Sequence, residues 1–187
     1  VKLTGATTVL PHNGLIPLSR SAEPEIPVYY AVGKCWAELW LEEFREGMTL
    51  STRSRTVTPS DVDLFASLTW AVNPIFLSDE VARSRGLPGR VAPGALTLSY
   101  AIGLLYQTGV FDHIQALTRI SEVEFKSPVR PGDEISVEAE VVEVREVRQD
   151  AGAVTLRFRV QNLSSGRTSL TGSLTVIVLK SRPQGSK

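Results

Sequence analysis

Apolar positions along this chain change period more than once, and each period predicts a kind of element. In "TPSDVDLFASLT" (58–69), Val62, Phe65, Ala66 and Leu68 or Thr69 recur at three- and four-residue spacing, the inward face of an amphipathic helix. Thr58 suits the N-cap, Pro59 the first helical position and Asp61 the acid of a capping box. The helix must stop before "WAVNP", because the residue preceding a proline avoids the helical region. Ser78 is placed to cap a second short helix, "DEVARSRG", closed by Gly86. Upstream, "CWAELWLEEFR" carries Trp36, Leu39, Trp40 and Phe44 at helical spacing, which predicts a short amphipathic helix over Cys35–Arg45. "TLSTRSRTVT" (49–58) reads as a strand.

The segment "PGALTLSYAIGLLYQTG" (93–109) differs from the others. Ala95, Leu96, Leu98, Ala101, Ile102, Leu104 and Leu105 go nearly all the way round a helical wheel. A helix apolar on most faces is expected to be buried on most faces. Fifteen or so residues span about 22 Å, so a central helix at about 94–108 is expected, enclosed by other elements. The remainder of the chain has period two. "TRISEVEFKSPV" predicts a strand and "RPGD" a turn. "EISVEAEVVEVREV" alternates Ile135, Val137, Ala139 and Val141 against Glu138 and Glu140. "AVTLRFRVQN" alternates Val154, Leu156, Phe158 and Val160 against Arg157, Arg159 and Gln161, and "RTSLTGSLTVIVLK" closes the run after the turn "LSSG". These are antiparallel strands with one dry and one wet face. The pattern predicts an α+β fold: a single hot-dog domain, a curved antiparallel sheet wrapped around one helix. Residues 1–34, rich in Gly, Pro and Ser, read as a partly ordered extension, 35–181 as the domain and 182–187 as a frayed tail.

Composition narrows the function classes. The chain has 187 residues, is 42% apolar and has zero formal net charge, which argues against an electrostatic nucleic-acid binder. One cysteine, Cys35, cannot form an internal disulfide, and two distant histidines, His12 and His113, make a zinc site an unpromising expectation. No metal and no cofactor are expected. No apolar run reaches membrane-spanning length, and no basic start followed by a hydrophobic stretch opens the chain. A soluble, cytoplasmic protein is the expectation.

From about Leu41 to Lys180 four segments in order resemble the MaoC-like dehydratases, the (R)-specific enoyl-CoA hydratase group of hot-dog proteins. They are "FREGMTLSTRSRTVTPSDVDLFASLT", "NPIFLSDEVA", "GRVAPGALTLSYAIGLL" and "EFKSPVRPGDEISVEAEV". The resemblance implies a lyase of acyl metabolism, acting on acyl-CoA or acyl-carrier thioesters, that works as a dimer. In that family a Gly-Asp-x-Asn-Pro-hydrophobic-His motif supplies an acid-base pair. Here the Gly position is Trp70, the Asp position Ala71 and the His position Phe76, while Asn73 and Pro74 match. Dehydration of a 3-hydroxyacyl thioester needs a base for the carbon-bound proton and an acid for the leaving hydroxyl, worth about 10²–10⁴-fold for a positioned group. Alanine and phenylalanine supply neither.

The resemblance also implies an oxyanion site made by backbone N–H at the start of the central helix, where Gly94 stands. Gly94 alternatively serves only a tight turn after Pro93. Trp70 and Phe76 plug the former pocket, line a rebuilt apolar pocket together with Asn73, or belong to the core. Replacement catalysts near the motif would have to come from Ser78, Asp79, Glu80, Tyr106, Asp112 or His113. The first three are better explained by capping, and Tyr106 lies at the wrong end of the helix. Arg83, Arg85, Arg90, Lys126 and Arg130 are the cations available to a coenzyme A or carrier-protein ligand. Two functional readings stand. One is a ligand-binding MaoC-like subunit without the hydratase pair, homodimeric or paired with a related complete subunit. The other is a hydro-lyase or biosynthetic cyclase with a rebuilt site.

Overall fold

The computed structural model describes residues 39–181, together with two short backbone strands ahead of them, β1 (Leu15–Pro17) and β2 (Val28–Ala31). Two very short strands, β3 (Thr49–Ser51) and β4 (Arg55–Thr56), precede three helices, α1 (Pro59–Thr69), α2 (Pro74–Leu77) and α3 (Asp79–Ser84). Helix α4 (Gly94–Tyr106) leads into four long strands, β5 (Ile114–Phe125), β6 (Glu134–Arg148), β7 (Ala151–Asn162) and β8 (Arg167–Leu179). The strand order is β1-β2-β3-β6-β7-β8-β5, with β4 also on β6. Every pairing is antiparallel except β2 with β3. Register shifts within β5, β6 and β7 mark bulges, and bulges bend and coil a sheet. The result is the curved sheet of a hot-dog fold.

The alternation read from the sequence sets the faces. Ile135, Val137, Ala139 and Val141 of β6 and Val154, Leu156, Phe158 and Val160 of β7 are buried. They share one core with Leu96, Ala101, Leu104 and Leu105 of α4. The turns fall at "RPGD" and "LSSG", where Gly132 and Gly166 take φ of 96° and 68°, which a side chain would resist.

Helix α1 begins as its sequence dictates. Thr58 Oγ1 accepts from Asp61 N–H at 3.1 Å and the Asp61 carboxylate accepts from Thr58 N–H at 2.8 Å. Its inward face is narrower than expected. Val62 and Ala66 are buried and Phe65 packs partly on the core, but Leu68 is 73% exposed and Leu64 61%. Three differences from the sequence expectation have local causes. The strand expected at 49–58 is broken, because Thr52 Oγ1 takes the Val137 N–H at 2.9 Å and interrupts the ladder. A one-turn helix, α2, appears where none was expected, nucleated by the Asn73 side chain accepting from Ile75 N–H. The helix expected over 35–45 is, in its described part, a single 3₁₀ turn at Leu41–Glu43, with residues 35–38 outside the described residues. There the Glu43 carboxylate caps Trp40 N–H, and Leu39, Leu41 and Phe44 are all buried, a spacing no single helical stripe accommodates.

Helix α4 ends at Tyr106 rather than Thr108, with Gly109 in the left-handed region at φ 77°. It is not covered all round. Ala95, Ser99, Gly103 and Tyr106 form an exposed flank along it. The next strand, β5, is the sheet edge and leaves Leu117, Ile120 and Phe125 exposed.

Candidate functional site

Helix α4 opens at Pro93-Gly94, and its first N–H groups have no helical acceptor. Leu96 and Thr97 N–H close back on Pro93 O at 3.0 and 3.2 Å, whereas Gly94 and Ala95 N–H donate to no acceptor among the described residues. Beside them lies a cavity of about 510 Å³ lined by Gly94, Ala95, Thr97, Phe125, Lys126 and Ser169 among others. Its far wall is the β5–β6 connection, fixed by Ala92 N–H on Val129 O at 2.7 Å and Lys126 N–H on Ser169 O at 2.8 Å. Ser127 Oγ donates to Thr168 O at 2.9 Å and lies 3.5 Å from Ser169 Oγ. Phe125 stands over the helix start: a Cβ added at Gly94 would sit 2.6 Å from its Cε1. Glycine here permits a close approach to the helix terminus, and a partial positive charge with free N–H donors favours an oxygen that gains negative charge.

The segment that matches the family's acid-base motif hangs beside the run into α4. Val91 N–H donates to Ile75 O at 3.1 Å, and Arg90 Nε to Phe76 O at 2.9 Å. Arg90 also pairs with Asp63 through its guanidinium, and its own N–H donates to Asp79 Oδ1 at 2.7 Å. Arg90 is therefore a brace between α1, α2, α3 and the entry to α4. Ala71 and Phe76 are partly buried, with Phe76 against the core. Asn73 turns its Oδ1 to Ile75 N–H and Arg85 Nη1, at 3.2 and 3.4 Å. Trp70 is not a core residue. It is 84% exposed and takes φ 58° at the C-cap of α1.

The alternative catalysts are dispersed. Ser78 Oγ caps Val81 N–H, whereas Asp79 caps nothing among the described residues and instead accepts from the Arg90 N–H of the following loop. Asp112 and His113 lie on a turn after α4, with the His113 ring stacked on Trp40 at 3.5 Å. Tyr106 is at the opposite end of α4 from Gly94. Tyr100, unremarked in the sequence, lines a second cavity with Arg53, Arg55 and Gln107. Arg55 lies over its ring at 4.0 Å and donates to its hydroxyl at 3.1 Å. Burial, then its bond to Asp61, pushes the Tyr100 hydroxyl up to about 12, so it is a proton holder and not a base near neutrality. Of the five cations, only Lys126 lines the cavity at the helix start, where it pairs with Glu124. Arg83 reaches Asp79 at 3.9 Å and Arg85 the Asn73 side chain. Thr97, Phe125, Ser127 and Ser169 were not singled out by pattern. Only Thr97 carried a signal, a hydroxyl three residues beyond Gly94 in an otherwise apolar run.

A curved sheet over one buried helix, with a donor-bearing cavity at the helix start, defines a hot-dog protein of the dehydratase type. The MaoC like domain model matches residues 43–162, and the chain belongs to that family. It is 27% identical over 139 residues to an (R)-specific enoyl-CoA hydratase of Rhodospirillum rubrum, covering 74% of this chain and 91% of the relative. A mitochondrial 3-hydroxyacyl-[acyl-carrier-protein] dehydratase of Solanum lycopersicum is 30% identical over 97 residues, 51% of this chain and 56% of the relative. Among solved structures, a monoamine oxidase regulatory protein of Archaeoglobus fulgidus superposes with a TM-score of 0.72 at 30% identity, over 78% of this chain and 97% of its own. No helix among the described residues is long and apolar enough to cross a membrane.

Proposed function

We propose that this protein binds an acyl thioester with its carbonyl oxygen at the Gly94 end of α4, and that it lacks the hydratase acid-base pair. The observation that carries the reading is the pairing of free N–H donors at Gly94 and Ala95 with Ala71 and Phe76 at the acid and imidazole positions. The donors polarise a thioester carbonyl whatever the reaction. Nothing at positions 71 and 76 can take the carbon-bound proton or protonate the leaving hydroxyl. Of the residues read from the sequence as ligand-binding, Trp70, Asn73 and Phe76, none lines the cavity at Gly94.

The protein works as a dimer with a second hot-dog subunit, either another copy or a related chain that carries the Asp and His. The exposed flank of α4 and the open β5 edge are the faces that such a subunit would cover. The hydroxyl-bearing cavity keeps a second reading in play, a hydro-lyase or cyclase whose site has been rebuilt. One assay separates the two. Hydration of short and medium trans-2-enoyl-CoA is monitored by loss of absorbance for the wild type and for Ala71→Asp/Phe76→His. Silence from the wild type and activity in the double variant is the expected outcome. Turnover by the wild type at ordinary enzyme rates would overturn it in favour of a rebuilt site.

A further inference from the structure

Helical Ser and Thr side chains commonly bond back to a carbonyl one turn earlier, and three of the six in these helices do, while Ser60 and Ser67, which do not, are exposed to water. Ser99 Oγ donates to Ala95 O at 2.8 Å, Thr69 Oγ1 to Phe65 O at 2.6 Å, and Ser84 Oγ to Val81 O at 2.8 Å. Just past α4, Thr108 Oγ1 does the same to Leu105 O at 2.6 Å. Thr97 is different. It is 4% exposed, lines the cavity at the helix start, and its hydroxyl has no hydrogen-bond partner among the described residues. That hydroxyl oxygen is not sealed from solvent, so it opens on the cavity and is free to meet a ligand there. Its position is also apt. Residues three apart share a helix face, and Cα–Cβ bonds tilt toward the helix N-terminus. Thr97 is therefore on the same face as Gly94 and one turn along, within the same cavity lining.

We infer that Thr97 is a specificity-determining residue of this cavity, donating a hydrogen bond to a second oxygen, on C3 of the acyl group, while the thioester carbonyl occupies the Gly94 and Ala95 donors. The inference rests on the proposed thioester site and adds the class of acyl group it prefers. A saturated or simple enoyl chain leaves Thr97 unpaired when it displaces water from the cavity, whereas a 3-oxygenated chain satisfies it. Donors that a ligand leaves empty are the strongest source of discrimination between near-isosteres. Ser169, 2% exposed on the opposite wall and already near Ser127, keeps the C3 end of the cavity polar without competing for that bond.

The test uses the full chain and two coenzyme A thioesters of equal length, acetoacetyl-CoA and butyryl-CoA. Neither can lose water, so calorimetric titration reads binding alone. The wild type is expected to bind acetoacetyl-CoA about fivefold more tightly, about 1 kcal/mol at 1.4 kcal/mol per tenfold. Thr97→Val, nearly isosteric, is expected to lose the preference, with acetoacetyl-CoA bound more weakly and butyryl-CoA more tightly than by the wild type, and Thr97→Ser to retain it. Circular dichroism checks that both variants fold, and if Thr97→Val does not, Thr97→Ala takes its place. Equal affinities in the wild type, or a preference that survives removal of the hydroxyl, overturn the role of Thr97 and leave the thioester site standing. If neither thioester binds, both readings are overturned.

Discussion

At the residue scale, the informative position is Trp70. A left-handed conformation costs a side-chain-bearing residue roughly 1–2 kcal/mol, and glycine is the usual occupant of a helix C-terminus of this kind. Trp70 adopts φ 58° while exposing 84% of its surface, so its ring recovers little of that cost by burial within the chain. Its neighbours Leu68 and Val72 are also exposed. A strained residue that stabilises nothing visible is the usual signature of a site that faces something else. Two outcomes are expected for Trp70→Gly. Thermal unfolding should move upward by about 2–4 °C, the shift expected for about 1 kcal/mol in a chain of this size. Thioester affinity at the Gly94 cavity should be unchanged, because Trp70 does not line it. A variant that is less stable than the wild type would mean that Trp70 is packed, which its exposure contradicts.

At the element scale, the cap of α1 makes a pH prediction. Burial pushes the Asp61 carboxyl up, but bonds from Thr58 and Tyr100 and the charge of Arg55 outweigh it, so it lies below its ordinary value of 3.8. A depressed native value means stability that is complete above the ordinary carboxylate value and is lost as pH falls through the lower native one. Asp61→Asn keeps an acceptor for Thr58 N–H without the charge. Urea unfolding should show the variant less stable at pH 7, with the gap closing below pH 3.8 as the wild-type carboxylate is protonated. A gap that persists unchanged to low pH would show that the charge contributes nothing. The same element shows what was legible in sequence. Thr58, Pro59 and Asp61 announce the helix start because capping is local chemistry, and the alternation of β6 and β7 announces their faces because the strand period is local too. The inward reach of α1 was not legible. Whether Leu68 or Thr69 turns inward depends on what the helix lies against, and neither does. Nor was the cavity legible: Phe125 comes over Gly94 only through the long-range pairing of β5 with β8, and no spacing in the chain encodes that contact. The motif positions 70–76 were readable only by resemblance, and their placement beside α4 depends on the Arg90 brace, which the sequence left among unclustered cations.

At the scale of the whole molecule, one narrow flank of α4 stays uncovered, although of the seven apolar positions read from its sequence only Ala95 is exposed. The sequence predicted a helix enclosed on most faces, yet Ala95, Ser99, Gly103 and Tyr106 stay open to solvent beside an edge strand that exposes Leu117 and Ile120. Small residues along a helix flank allow a second helix to approach closely, and an unpaired edge with apolar side chains is a liability that monomeric proteins blunt with charge or proline. Strand β5 carries Arg119, Glu122 and Glu124 but no proline, and as the last strand of the sheet it is paired only to β8. A second hot-dog subunit laid edge to edge would pair the strand and cover the flank together. The expected outcome is a dimer by sedimentation at micromolar concentration, converted to a folded monomer by Leu117→Lys/Ile120→Lys. Because both side chains are already exposed, charge there costs the single chain little, and far-ultraviolet circular dichroism should be unchanged. Thioester binding should weaken in that monomer, since the cavity at Gly94 lies next to Phe125 at the end of the same strand. A wild type that sediments as a monomer while binding thioester undiminished would separate the site from the assembly and remove the reason for pairing it with a second subunit.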